Sequence, residues 1–167
     1  FISVYVDPTT NHVIVACRGS KTAEDYLVDD YEIMTEGHPR DLISADLRKV
    51  IEKYDAENTL EVAGHSLGAS LIAQAFKENP SFEQKFDRVD LFNPGSSILV
   101  EDNVVNDFVG KDGAYFYLNV ADPVSFGTTF GTQIPKGHLV MNTPQGFNPM
   151  DNHSIDQWFK GDSSTFS

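Results

Sequence analysis

The spacing of hydrophobic and polar positions changes several times along the chain. Near the start, "FISVYV" and "HVIVAC" are β-branched runs separated by "DPTTN", whose Pro, Thr and Asn favour a chain reversal. They predict a hairpin over residues 1–6 and 12–17. From Arg40 to Tyr54 the period becomes helical: Ile43, Leu47, Val50, Ile51 and Tyr54 recur at spacings of four, three, one and three, with Asp41, Arg48, Glu52 and Lys53 falling elsewhere. "TLEVAG" then predicts a strand and "LGASLIAQAFKEN" a helix stopped by Pro80. Three further strand-like runs follow, "RVDLFN", "AYFYLNVA" and "HLVMNT", and "SIDQWFK" predicts a short closing helix. Strands alternating with helices imply an α/β architecture whose sheet is at least partly parallel, with connections crossing over its faces. The Gly- and Thr-rich stretch 123–137 reads as a long loop, and such loops in compact domains are more often functional than idle.

The 167 residues fit one domain, 1–167, with enough chain to bury a core, and they contain no internal repeat or low-complexity segment. The chain opens at Phe1 inside a strand-like run, so it is expected to be a fragment or processed piece of something longer. Its composition, 40% hydrophobic and 22% charged, is that of a soluble globular protein. Charge narrows the choice of partner. Against 25 acidic residues stand 12 Lys and Arg, a formal charge of -13, and the resulting field disfavours nucleic acid and anionic membranes. No apolar run approaches the roughly 20 residues of a transmembrane helix, and no basic-then-apolar signal segment opens the chain. Cys17 is the only cysteine, which excludes an intrachain disulfide and a thiolate metal cluster. GxGxxG, P-loop and HExxH strings are absent.

The motif that carries chemistry is "VAGHSLGAS", residues 62–70, at the junction of a predicted strand and a predicted helix. A turn tight enough to push Ser66 outward crowds the residues two before and two after it, which are Gly64 and Gly68. The helix behind the serine aims backbone N–H groups and a positive dipole end at whatever the serine attacks. Ser66 is therefore the candidate nucleophile, and the N–H of Leu67 a candidate oxyanion donor. A serine hydroxyl needs a base, and the base needs an acid to hold its tautomer. In this arrangement both follow the serine along the chain. His138 and His153 lie far enough downstream; His153, in a loop before a helix, is favoured over His138, which opens a strand-like run. Asp122 ends the run "AYFYLNVA" and precedes Pro123, where it would emerge at the serine's edge of the sheet; a plain turn or cap is the other reading. Asp90 is mid-strand, and Asp107, Asp112, Asp151 and Asp156 are weaker choices. The turn "ACRGSKT" offers Ser20 as a second oxyanion donor.

Four separated pieces, "VIVACRGS", "VAGHSLGAS", "NVADPVS" and "NHSIDQW", resemble the oxyanion segment, nucleophile elbow, acid turn and histidine turn of the class 3 lipases, the fungal-lipase-like branch of the α/β-hydrolase fold. "GHLVMNT" is similar to that family's last strand. The resemblance spans nearly the whole chain. It implies a minimal α/β-hydrolase, a mostly parallel central sheet flanked by helices, lacking the N-terminal helical part of longer members. It implies a carboxylic ester hydrolase acting on acylglycerols or related lipids, with Ser66 as nucleophile, Asp122 as acid, His153 as base, Ser20 and Leu67 as the oxyanion hole, and no metal or cofactor. A phospholipase or acyltransferase on the same fold, or a silent lipid-binding domain keeping the hydrolase shell, are the alternatives. The resemblance also implies a lid after Ser20. There Leu27, Tyr31 and Met34 share one helical face and Asp25, Asp29, Glu32 and Glu36 another, a pattern equally met by an ordinary surface helix. A lipid or small ester, at a lipid–water interface, is the expected partner; oligomeric state is not legible.

Overall fold

A computed structural model of the chain describes residues 2–19, 38–94, 113–119, 122, 138–142 and 154–155. Strands β1 (Ile2–Asp7) and β2 (His12–Cys17) form the expected hairpin. Its turn is tied by the Asp7 carboxylate, which accepts from the Thr9 hydroxyl at 2.6 Å and the Thr9 N–H at 2.8 Å, while Asn11 adopts the left-handed φ of 54° that Asn tolerates. These bonds favour the charged form and lower the Asp7 pKa to about 2. Helix α1 (His38–Tyr54), strand β3 (Thr59–His65), helices α2 (Leu67–Glu78) and α3 (Pro80–Glu83), and strands β4 (Arg88–Phe92), β5 (Ala114–Asn119) and β6 (His138–Asn142) follow. The predicted closing helix lies almost wholly outside the described residues.

The six strands among the described residues lie in chain order, β1 antiparallel to β2 and every later neighbour parallel. This is a small α/β domain with a mostly parallel sheet, as the alternation of elements predicts. Right-handed crossovers that advance in one direction across a sheet leave their helices on one face. The β2–β3 and β3–β4 crossovers both advance that way, and α1 and α2 accordingly pack against each other.

Beneath them, the two-residue period of the strands aligns Val13, Val15 and Cys17 with Leu60, Val62 and Gly64, and these with Val89, Leu91, Ala114 and Phe116. Ile43, Leu47 and Val50 of α1 close the core from above. Every residue of α2 from Leu67 to Phe76 is buried, so this helix is a core element rather than an amphipathic cover. Pro80 does stop α2, but it also starts α3 from the first-turn position, where its missing N–H costs nothing. Among the described residues no helix is long and apolar enough to cross a membrane.

The other face of the sheet carries a polar cluster. Arg88 grips Asp90 through two nitrogens at 2.8 and 3.1 Å and lies 4.6 Å from the Tyr115 ring centre. The Tyr117 hydroxyl donates to the same carboxylate at 2.8 Å, while its ring stacks on Phe92 at 4.2 Å. Asp90→Ala removes the shared acceptor and leaves a guanidinium and a phenol without it, so it is expected to cost about 2 kcal/mol in urea unfolding. Burial, with the bond to Asp90 adding to it, raises the Tyr117 pKa from 10.0 to about 12. Its contribution is therefore full below pH 10 and fades as pH climbs from there towards about 12. Unfolding curves at pH 8 and pH 11 would differ less in Tyr117→Phe than in the parent.

Candidate active site

Strand β3 ends at His65 and α2 begins at Leu67, so a single residue, Ser66, makes the whole turn. Its φ of 56° and ψ of −127° lie where a residue with a Cβ pays of order 1–3 kcal/mol. The neighbours hold it there from both sides. The Ser66 N–H donates to the Phe92 carbonyl at 3.0 Å, continuing the β3–β4 ladder, while the Ser66 carbonyl accepts from Ala69 at 3.1 Å and Ser70 at 3.3 Å, opening the helix. Ser66 stands at the cap position of α2, yet its side chain makes no capping bond. Serine at that place ordinarily spends its hydroxyl on an N–H of the first turn. Here a strained, buried serine does not.

Close backbone crossings explain the glycines. A Cβ on Gly64 would sit 2.6 Å from Ile72 Cδ1 and 2.8 Å from the Ala69 backbone, and one on Gly68 would sit 2.5 Å from the Cys17 carbonyl oxygen. The end of β2 thus lies directly on the first turn of α2. Sequence reasoning did not single out Gly19, whose own Cβ would fall 2.8 Å from Ser66 Cβ and 3.2 Å from Leu67 N. The signal for it is the register, which sets Cys17 beside Gly64 and carries the chain after Cys17 alongside the chain after Gly64. Leu67, the first residue of α2, is buried, and its N–H is one of those that a helix start leaves without an intrahelical partner. Ser20, which follows Gly19 in sequence, lies outside the described residues.

On the acid side, Asp122 stands three residues beyond β5, buried, its N–H donating to the Asn119 carbonyl at 3.0 Å. Strand β5 is two strands from β3 and parallel to it, so both chains leave the sheet at the same edge. His153 and the lid segment 24–34 lie outside the described residues, as do Asp107, Asp112, Asp151 and Asp156; of the histidine turn, only Ser154 and Ile155 are described, both half-buried. Two alternatives weighed from sequence are placed. His138 is paired with Tyr115, three residues below the level at which Ser66 leaves its strand and three strands away, about 17 Å between backbones by strand spacing and rise. That exceeds the reach of an imidazole. Asp90 is engaged by Arg88 and Tyr117 on the face away from the helices. Cys17, beside Gly64 in the ladder, is buried, and desolvation raises its thiol pKa to about 12, which keeps it in the unreactive thiol form.

No protein-family model matches the sequence, and no curated protein does. Among solved structures, the chain is similar to a predicted CIB-like hydrolase from Thermoplasma acidophilum, at 12% identity and a TM-score of 0.54 over 95% of this chain and 90% of that one. It is also similar to a mutant form of MDLA from Penicillium cyclopium, at 16% identity and a TM-score of 0.48, over 93% of this chain and 62% of that one. A triacylglycerol lipase from Penicillium expansum aligns at 19% identity and a TM-score of 0.47, over 87% of this chain and 64% of that one. The chain thus spans less than two thirds of either Penicillium protein. What it shares with the Thermoplasma hydrolase is the fold, a minimal arrangement of the α/β-hydrolase kind.

Proposed function

We propose that the chain is a serine carboxylic ester hydrolase of the lipase type, acting on acylglycerols or related esters through an acyl-enzyme. The observation that carries this reading is the backbone of Ser66, bent to φ 56° at a strand-to-helix junction while its hydroxyl is withheld from the helix cap. Strain of this kind persists only where the surroundings over-determine it, and it gathers at sites of chemistry. Ser66 Oγ attacks the ester carbonyl as His153 takes its proton; the tetrahedral oxyanion is held by the Leu67 N–H and by Ser20. The imidazolium, steadied by Asp122, then protonates the leaving alcohol, and water repeats the sequence to release the acid. The closeness of Gly19 to Ser66 supports the reading of Ser20 as a donor, because Gly19 is the residue immediately before it.

A fluorophosphonate probe tests the reading directly. Covalent labelling at Ser66, slowed when p-nitrophenyl butyrate is present at saturating concentration, is expected; an unlabelled protein would leave the silent lipid-binding domain as the better description. Neutral imidazole is the form that accepts the proton, so kcat/KM for the same ester is expected to fall as pH drops below about 6.5. An acid limb far from that value would point to a base other than His153.

A further inference from the structure

We propose that Asn93 is a positioning residue that sets the Asp122 turn in register with the serine, an inference that rests on the proposed roles of Ser66 and Asp122. In a parallel ladder, a residue facing its neighbour donates its N–H to the residue before and accepts from the residue after. Asn93 follows β4, and its N–H does donate to the Tyr117 carbonyl at 2.7 Å. Its backbone then departs at a φ of 42°, a left-handed value that Asn tolerates better than most residues. The Asn119 N–H, which the ladder would pair with the Asn93 main-chain oxygen, donates instead to its side-chain Oδ1 at 2.9 Å. The amide substitutes for the carbonyl that the turn removes.

This substitution lies on a short path between the two groups. Phe92, one residue before Asn93, accepts the Ser66 N–H at 3.0 Å; Asn119, held by Asn93, accepts the Asp122 N–H at 3.0 Å. Asn93, Asn119 and Asp122 are all buried. A shift of the Asn119 peptide is therefore passed to the carboxylate, and from it to the imidazole it steadies.

The experiment compares Asn93→Gly, which keeps the left-handed turn and loses the acceptor, with Asn93→Asp, which keeps an accepting oxygen, each alone and with Asp122→Asn, on p-nitrophenyl butyrate. N93G is expected to lower kcat about 10- to 100-fold with KM nearly unchanged, the scale set by a displacement of about 1 Å. Its acid limb is expected to move to lower pH, since an imidazolium without a well-placed carboxylate releases its proton more readily. N93D is expected to retain most of the activity at pH 8. In the D122N background, N93G should add no further loss, because the group it positions has already been removed. Multiplying losses, or N93G at the parental rate beside an impaired D122N, would overturn the positioning role alone. D122N at the parental rate would overturn both this inference and the function on which it rests. If circular dichroism shows N93G unfolded, Asn93→Ala, which also lacks an acceptor and adds no bulk at the buried turn, takes its place in the same cycle.

Discussion

Ser66→Ala is expected to lower hydrolysis of p-nitrophenyl butyrate by about four to six orders of magnitude while leaving the urea unfolding midpoint nearly unmoved. The two halves of that result separate a nucleophile from a helix cap. A serine that caps a helix contributes about 1 kcal/mol through its hydroxyl, and alanine forfeits it. Ser66 makes no such bond, so truncation removes no cap from α2. Alanine also pays the same backbone penalty at φ 56°, because both residues carry a Cβ. Ser66→Gly completes the argument: freed of that penalty, it is expected to be more stable than the parent by about 1 kcal/mol, and as inactive as the alanine variant. A loss of stability in S66A with esterase activity intact would return the residue to the role of a structural turn and remove the acyl-enzyme.

The strain explains why part of this site is legible in the sequence. Two glycines flanking a serine between a strand period and a helix period describe a local turn, and local turns are encoded by near neighbours. The same holds for the elements: runs of period two and period 3.6 mark β1 to β6, α1 and α2 to within two residues at either end. Helix α3 escapes because four residues are too few to show a period, and because a proline that ends one helix can begin another.

Gly19 and Asn93 escape for a different reason. The contact of Gly19 with Ser66 spans 47 positions of sequence and is created by the register of β2 on β3, which no local pattern announces. Asn93 looks like any Asn-Pro turn until the ladder shows its amide in place of a main-chain oxygen. The single-faced placement of α1 and α2 is legible in principle from chirality, once strand order is known; order itself is not a local property.

Gly68→Ala is expected to lower stability by about 2 kcal/mol and kcat/KM by about 100-fold, against the ordinary rule that alanine improves a helix. Two effects oppose each other here. Replacing glycine inside α2 gains about 1 kcal/mol of helix propensity. The new Cβ, however, would stand 2.5 Å from the Cys17 carbonyl oxygen and 2.9 Å from the Cys17 and Arg18 carbonyl carbons, all of them backbone. No side chain can swing aside, so relief requires α2 to lift from the end of β2, and overpacking of that kind costs about 3 kcal/mol or more. The clash wins. Lifting the first turn of α2 also carries the Leu67 N–H away from Gly19, which separates the two segments assigned to the oxyanion, so activity falls further than stability alone would require. At Gly64 the nearest obstacle is the flexible tip of Ile72, but the Ala69 backbone stands 2.8 Å behind it, and the same sign is expected. Urea unfolding and steady-state kinetics on the two variants measure both quantities; a G68A protein as stable and as active as the parent would mean that the end of β2 does not rest on the first turn of α2.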